Sequence, residues 1–372
     1  MSWDCVKLEE LYAVHNGLSK GGKYFGSGYP FLTFSTVFNN YFIPEDITDL
    51  VQSSEAERVN YSIQRGDVFV TRTSETANEL GMSCVALRDY PQATYNGFTK
   101  RMRPITDKVL PEYIGYYMRM PSFRGNFQAF STMTTRASLR NEDLLSLEIA
   151  LPDIQTQEKI ANILLTYDNL IKNNKKQFKL LEEAAQLLYK EWFTGTDVCD
   201  LDNTTLSEIV TFKRGKTITK AQTIEGNIPV VAGGLEPAYY HNEANTTAPV
   251  ITVSGSGANA GFARMYFEDV FASDCSFADS GSTQYLFFVY CFLKENKSQL
   301  EALQKGSAQP HVYAKDINAM VMKSIPKQRL EQFCGIVKPY FEMMGNLEKQ
   351  SKSAVEARDR LLPKLMSGEI EI

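Results

Sequence analysis

The stretch LPDIQTQEKIANILLTYDNLIKNN, Leu151 to Asn174, leads into a run free of Gly and Pro that extends from Asp153 to Thr194. Apolar or aromatic residues recur along it in alternating steps of four and three: Ile160, Leu164, Tyr167, Ile171, Asn174, Phe178, Leu181, Ala185, Leu188 and Trp192. That spacing lays one stripe along a helix and predicts the seam of a coiled coil. Asn174 is the polar member of the seam, a position that fixes register. Pro152 stands at the start, where a missing N–H costs little, and Gly195 stops the run. About 40 residues rising 1.5 Å each make a helix of roughly 60 Å.

A rougher copy, IPKQRLEQFCGIVKPYFEMMGNLE, begins at Ile325. Its seam runs Leu330, Phe333, Val337, Tyr340, Met344, Leu347, Ser351, Ala354, Arg358, Leu361 and Leu365. Pro339 and Gly345 interrupt it. Pro339 predicts a break or kink near Val337, and Pro363 a kink in the last turn. The best partner for either helix is the other one, met antiparallel. The two prolines, Pro152 and Pro326, lie 174 residues apart. At that offset Leu139 falls on Tyr313 and Glu142 on Asp316. Near the start, VKLEELYAVHNGLSK parallels TTLSEIVTFKRGKTI at offset 198, with Leu8 on Leu206, Glu10 on Glu208 and Gly17 on Gly215. The order is therefore A–B–A′–B′, a duplicated unit with a pseudo-twofold axis. Domain A covers residues 1–150, the first helix 151–195, domain A′ 196–325 and the second helix 326–372.

Each A segment reads as mixed α and β. The expected strands are YPFLTFSTVF, DVFVTRT and MSCVALRD in A, and IPVVAGG, APVITVSGSG, GFARMYF and DVFASDCSF in A′. Each domain then closes on a helical run, PEYIGYYMRMPSFRGNFQAF or STQYLFFVYCFLKENKSQLEALQ. The fold class is α+β: two globular domains separated by two long antiparallel helices.

The chemistry of a conventional enzyme is missing from the pattern. GLSKGGKY, Gly17 to Tyr24, nearly matches a phosphate-binding loop, but Tyr24 stands where a small hydroxyl would bind Mg²⁺. VSGSGANAG has its glycines at 255, 257 and 261, the wrong spacing for a dinucleotide fingerprint. Six cysteines form no C-x-x-C pair, and three separated histidines offer no metal cluster. No apolar run is long enough to span a membrane, and the N-terminus has no signal-peptide core, so a cytoplasmic chain with reduced thiols and no cofactor of its own is expected. The net charge of −5 argues against a purely non-specific DNA binder.

What remains are loops rich in donors at parallel places in the two domains. In A they hold Lys20, Lys23 and Tyr24; Arg72, Thr73, Ser74 and Asn78; Lys100, Arg101 and Arg103; and Arg136. In A′ they hold Lys213, Arg214, Lys216 and Lys220; Ser254, Ser256 and Asn259; and Lys305, Gln309 and His311. Lys and Arg hold phosphates, while Arg, Asn, Gln, Ser and Thr read base edges. A non-DNA adaptor, with a duplicated ligand-binding domain on a helical spacer, fits the same layout. A stand-alone enzyme with A′ as its catalytic domain is the third alternative.

NEDLLSLEIALPDIQTQEKIANILLTYDNLI resembles the first conserved region of the specificity subunits of type I restriction-modification systems, and RDRLLPKLMSGEI the end of the second. The A–B–A′–B′ layout is similar too. Gln157-Glu158 inverts the Glu-Gln order frequent in that family, which Glu331-Gln332 keeps. The resemblance implies that A and A′ are target recognition domains. Each would read one half of a bipartite double-stranded DNA sequence, with the helices setting the gap. The chain itself would be non-catalytic. Two methyltransferase subunits with S-adenosylmethionine, and restriction subunits using ATP and Mg²⁺, would act as its partners.

Overall fold

The computed structural model describes residues 3–74, 79–128, 137–306 and 309–372. The chain divides into two compact units, Met1–Leu170 with Ala354–Ile372, and Ile171–Ser353. The strands of the first unit are β1 (Asp4–Lys7), β2 (Tyr12–Asn16), β3 (Phe25–Leu32), β4 (Leu50–Val51), β5 (Val68–Thr71), β6 (Thr73–Ser74), β7 (Ser83–Val85), β8 (Thr94–Tyr95), β9 (Thr99–Pro104), β10 (Ala137–Ser138) and β11 (Glu148–Leu151). They make a four-stranded sheet, β2-β9-β5-β7, a three-stranded sheet, β4-β3-β8, and the pairs β1-β11 and β6-β10. Its helices are α1 (Phe34–Asn39), α2 (Glu55–Asn60), α3 (Pro111–Tyr117), α4 (Pro121–Gln128), α5 (Asn141–Leu145) and the first part of α6 (Ile154–Phe193).

The second unit adds α7 (Thr196–Cys199), α8 (Leu286–Glu295), α9 (Lys297–Ala302), α10 (Ala314–Asn318) and most of α11 (Lys327–Met366). Its strands are β12 (Asn203–Thr205), β13 (Lys213–Arg214), β14 (Ile228–Val231), β15 (Tyr239–His241), β16 (Val250–Ser254), β17 (Ala263–Tyr266), β18 (Phe271–Ala272), β19 (Cys275–Asp279) and β20 (Val321–Lys323). The sheets repeat those of the first unit: β13-β19-β16-β17, β15-β14-β18 and β12-β20. The senses repeat as well. β3 pairs antiparallel with β4 and parallel with β8, and β14 does the same with β15 and β18. Gly17 and Gly215 occupy matching places for a steric reason. A Cβ would lie 2.0 Å from the Asn96 carbonyl oxygen at the first and 2.3 Å from that of Ser273 at the second.

The 174-residue offset needs one correction. Leu8 N–H bonds the Leu147 carbonyl and Leu206 N–H that of Met320, an offset of 173. The long helices keep that offset, Ile154–Phe193 falling on Lys327–Met366, so no residue is inserted and the second proline simply stands one place later. A tight turn, with Ile325 N–H bonded to the Lys323 carbonyl, leads into the second helix. Other local expectations also change. The stretch read as the strand YPFLTFSTVF leaves β at Leu32; Thr33 caps α1 by accepting from Thr36 N–H, and Phe34 stacks on Phe38 at helical spacing. The helical run from 111 divides at Pro121, which begins α4. The run from 282 divides at Asn296.

α6 spans 40 residues, capped by Asp153, whose Oδ1 accepts Thr156 N–H at 2.8 Å. Pro152 therefore lies just outside the helix. In the first unit Ile160 and Leu164 pack in one core with Leu362, Leu365 and Met366 of α11, and with Tyr113, Ile114 and Tyr116 of α3. Asp168 ties the same three helices: Tyr116 Oη–H and Arg358 both donate to it. In the second unit Tyr189 and Phe193 pack with Phe333, Val337 and Phe341 of α11 and Phe288 of α8. Asn174, only 2 % exposed, donates to Gln350 Oε1 at 2.8 Å, so the polar seam position is satisfied across the helix pair. In both units rising residue numbers on α6 meet falling ones on α11, as an antiparallel pair requires.

α11 is continuous over 40 residues, against the expected break at Pro339. Pro339 and Pro363 are both on the exposed face, where a carbonyl that loses its N–H partner meets water. The residue four before Pro339 is Gly335, a residue type whose backbone freedom lets a carbonyl tilt aside at little cost. Buried Val337, Phe341 and Met344 hold the opposite face. Gly345 is a packing device: Phe267 lies against it, with atoms 3.0 Å from where a Cβ would stand.

The inverted pair Gln157-Glu158 also has a physical basis. Gln157 is fully buried, accepts Leu110 N–H at 2.8 Å, and donates to the carbonyls of Lys108 and Pro152 at 2.9 and 2.8 Å. A carboxylate has no N–H for those two carbonyls. We predict that Gln157→Glu destabilises the first unit by about 2–4 kcal/mol, from a buried charge and two orphaned acceptors. Urea unfolding of the full chain checks this; an unchanged midpoint would contradict it.

Candidate nucleic-acid interface

Four segments of the first unit meet at one end of the sheet β2-β9-β5-β7. They are the chain after β2, the β8–β9 turn, the chain after β5, and the segment leading into α5. Backbone bonds stitch them together. Leu18 N–H bonds the Tyr95 carbonyl and Gly97 N–H that of Leu18; Arg72 N–H bonds Phe98, and Leu139 N–H bonds Arg72. Thr73 and Ser74 form β6 and pair with Ser138 and Ala137. Asn78 and Arg136 lie outside the described residues.

Two cations sit within this end. Lys100 is 4 % exposed, and its ammonium donates to Asn16 Oδ1 at 3.2 Å and to Asn141 Oδ1. Arg72 reaches the same Asn16 oxygen at 3.4 Å. Burial pushes Lys100 below its ordinary pKa, and the charge of Arg72 acts in the same direction. Lys20, Lys23 and Tyr24 form a second group in the loop before β3. Lys20 pairs with Glu57 at 2.8 Å, and both ammonium groups lie 5.0 Å from the Tyr24 ring.

The segment KRMR, expected as a loop, is strand β9. Because side chains alternate along a strand, Lys100 and Met102 face one way and Arg101 and Arg103 the other. Arg103 donates through Nε and Nη2 to Asp67 at 2.7 Å each, and Asp67 is fully buried. The hydrogen bonds to Asp67 hold Arg103 above its ordinary pKa. Arg101 donates to the Ser62 carbonyl at 2.7 Å and lies over Tyr95, with burial pushing its pKa down. These two arginines secure the sheet from its other face and do not join the Arg72–Lys100 group.

The second unit brings the matching four segments together. Gly215 N–H bonds Cys275, Lys216 N–H bonds Ala272, Gly255 N–H bonds Asp274, and Val312 N–H bonds Gly255. Ser256 Oγ–H donates to Asp274, and Arg214 approaches the same carboxylate at 3.9 Å. Ser254 is buried, its Oγ–H donating to the Gly233 carbonyl at 3.1 Å. Asn259 reaches that carbonyl at 3.5 Å. His311 bridges Ser256 and Lys305 along the backbone and stacks near Tyr313, while Gln309 is exposed beside it. Lys305 pairs with Asp316 at 2.7 Å. Lys213, Lys216 and Lys220 are exposed. The sequence reading missed Asn16, Asn141 and Asp274. The offset of 198, which puts Asn16 on Arg214, was the signal available for the first. Among the described residues no group of three or more His, Cys, Asp or Glu is placed to hold a metal ion. No helix among them is long and apolar enough to cross a membrane.

Fold and site together define a class: a duplicated α+β protein with matching donor-rich sheet ends and a shared pair of long helices. Residues 2–183 match the family model described as the type I restriction modification DNA specificity domain. The whole chain is 25 % identical to the type I restriction enzyme MjaIX specificity subunit of Methanocaldococcus jannaschii, covering 94 % of it. A putative type I specificity subunit of Mycoplasma pneumoniae is 24 % identical over 81 % of this chain and 85 % of its own length. The crystal structure of a type I S subunit from M. genitalium shares the fold over 98 % of this chain and 96 % of its own, with a TM-score of 0.61 and 16 % identity. Over its length the chain is similar to proteins described as type I restriction-modification specificity subunits.

Arg103→Met should leave Asp67 buried and unpaired, costing on the order of 3 kcal/mol, somewhat less because Arg103 is partly exposed. Lys213→Ala should change stability by less than about 0.5 kcal/mol. Thermal unfolding of both variants checks the pair; equal stability would refute the structural role given to Arg103.

Proposed function

We propose that this chain reads a bipartite double-stranded DNA target, one half with each unit, and that its two long helices set the gap between the halves. The observation that carries the reading is the duplicated sheet end, built from four matching segments and furnished with Arg, Lys, Asn and Ser in both copies. Two such ends in one chain suit two short sequences read by hydrogen bonds to base edges and phosphates. The helices contribute to both units: α6 gives residues up to 170 to the first, and α11 returns to it from 354. Their seam residues, including Tyr167, Leu181, Leu188, Trp192, Tyr340, Leu347 and Leu361, make them a spacer.

Adenine methylation is assigned to two methyltransferase subunits carrying S-adenosylmethionine. Cleavage is assigned to restriction subunits driven by ATP with Mg²⁺. The kinship to type I specificity subunits supports these partners, and the net charge of −5 suits a chain that takes part of its DNA affinity from them.

The test is co-expression with a cognate adenine methyltransferase, followed by mapping of modified adenines across the host genome. A single motif of two short sequences around a fixed gap is expected. Absence of sequence-specific modification, with no duplex binding by the complex, would overturn the reading. Deleting about one heptad from α6 should alter the gap and leave both half-sequences alone. An active complex with its gap unchanged would refute the spacer role.

A further inference from the structure

The Arg72–Lys100 group has an electrostatic imbalance. Both side chains converge on the neutral Asn16 Oδ1, and the other acceptor of Lys100 is the neutral Asn141. Among the described residues no carboxylate pairs with either cation. The Nε of Arg72 is buried and finds no acceptor. The buried Lys100 and the half-buried Arg72 repel each other and, among the described residues, meet amide oxygens without a counter-charge. A neutral base edge would satisfy a donor without neutralising the pair, whereas an oxyanion would do both.

The second unit shows how the same place is built when it is balanced. The ladder partners Asn16 and Lys100 correspond to Arg214 and Ser276. The backbone bonds place Gly255 where Arg72 is, and Asp274 where Phe98 is. The second unit thus has one cation there, Arg214, facing the carboxylate of Asp274. The frame is the same, yet the anion comes with the protein in one unit, and among the described residues none is supplied in the other.

We infer that Arg72 and Lys100 form a phosphate site in the first unit, which takes one backbone phosphodiester of DNA and has no counterpart in the second. This rests on the DNA-reading function proposed above. The site fixes the first unit's register on the duplex, and base discrimination falls to other residues.

The test uses the full chain in complex with its methyltransferase partner and a duplex carrying the mapped target. Each phosphate neutralised contributes about 0.9 to the slope of log affinity against log salt. Arg72→Met should lower that slope by about 0.9 and weaken binding roughly tenfold at physiological salt. The preference at both half-sequences should stay unchanged. Lys100→Met should act alike, and Lys100→Arg should restore the slope; if Lys100→Met fails to fold, Arg72→Met carries the comparison. In duplexes bearing a single neutral methylphosphonate, one position near the first half-sequence should weaken the wild type and leave Arg72→Met unaffected. An unchanged slope, a relaxed base preference in the first half-sequence, or no such phosphate position would overturn the site and leave the DNA reading standing. A wild-type complex that binds no duplex would remove both.

Discussion

The structure depends on the apolar stripe of α6 being covered by α11 and by the domain helices. A helix of 40 residues with one apolar face cannot rest in water alone, because the leucines and aromatics along it each contribute about 1.5–3 kcal/mol when buried. In the first unit Ile160 and Leu164 are covered by the end of α11 and by α3. In the second, Tyr189 and Phe193 are covered by the start of α11 and by α8. One continuous helix therefore belongs to two cores. The β1-β11 and β12-β20 pairs serve the same end, since each returns the beginning of a domain to the strand that precedes its long helix.

Polar contacts give this packing its register. Leucines and phenylalanines tolerate sliding, but Asn174 with Gln350 allows one alignment in the second unit. In the first, Tyr116, Asp168 and Arg358 tie three helices at one point. Burial and the nearby Asp168 charge push the Tyr116 hydroxyl well above its ordinary pKa, so it remains a donor. Gln157 does comparable work at the helix start with an amide that both donates and accepts. These groups explain why a seam of ordinary apolar residues specifies a single arrangement.

The helices were legible because their signal is periodic and local. The duplication was legible because Gly17 and Gly215 are both places where the backbone approaches another strand too closely for a side chain. What failed to show was set by distant partners. KRMR reads as a basic loop until Asp67, some 36 residues away in sequence, is seen to hold Arg103. Pro339 reads as a helix breaker until its exposure and Gly335 are known. The offset of 173 is invisible to an alignment anchored on prolines, since Pro326 stands one place later than Pro152 does relative to the strands and helices. Within the candidate interface the residue types were readable, but their division between binding and internal pairing was not, because each pairing joins segments far apart in the chain.

That division bears on how an acidic chain would read DNA under the proposed function. Arg103 is committed to Asp67, Lys20 to Glu57 and Lys305 to Asp316, so much of the positive charge near the sheet ends is neutralised internally. Among the described residues, what stays uncompensated is small and placed: Arg72 and Lys100 in one unit, the exposed Lys213, Lys216 and Lys220 in the other. A surface of this kind holds any duplex weakly, since non-specific affinity grows with the number of phosphates neutralised. Under the proposed function, weak general attraction is an advantage, because wrong sequences gain little from it. The two units reach that condition differently on one backbone frame: among the described residues the first sets a buried Lys100 and a half-buried Arg72 against neutral amides, and the second supplies the carboxylate of Asp274. A duplicated fold can therefore keep its strand order and its close glycine contacts while each copy acquires its own pattern of charge.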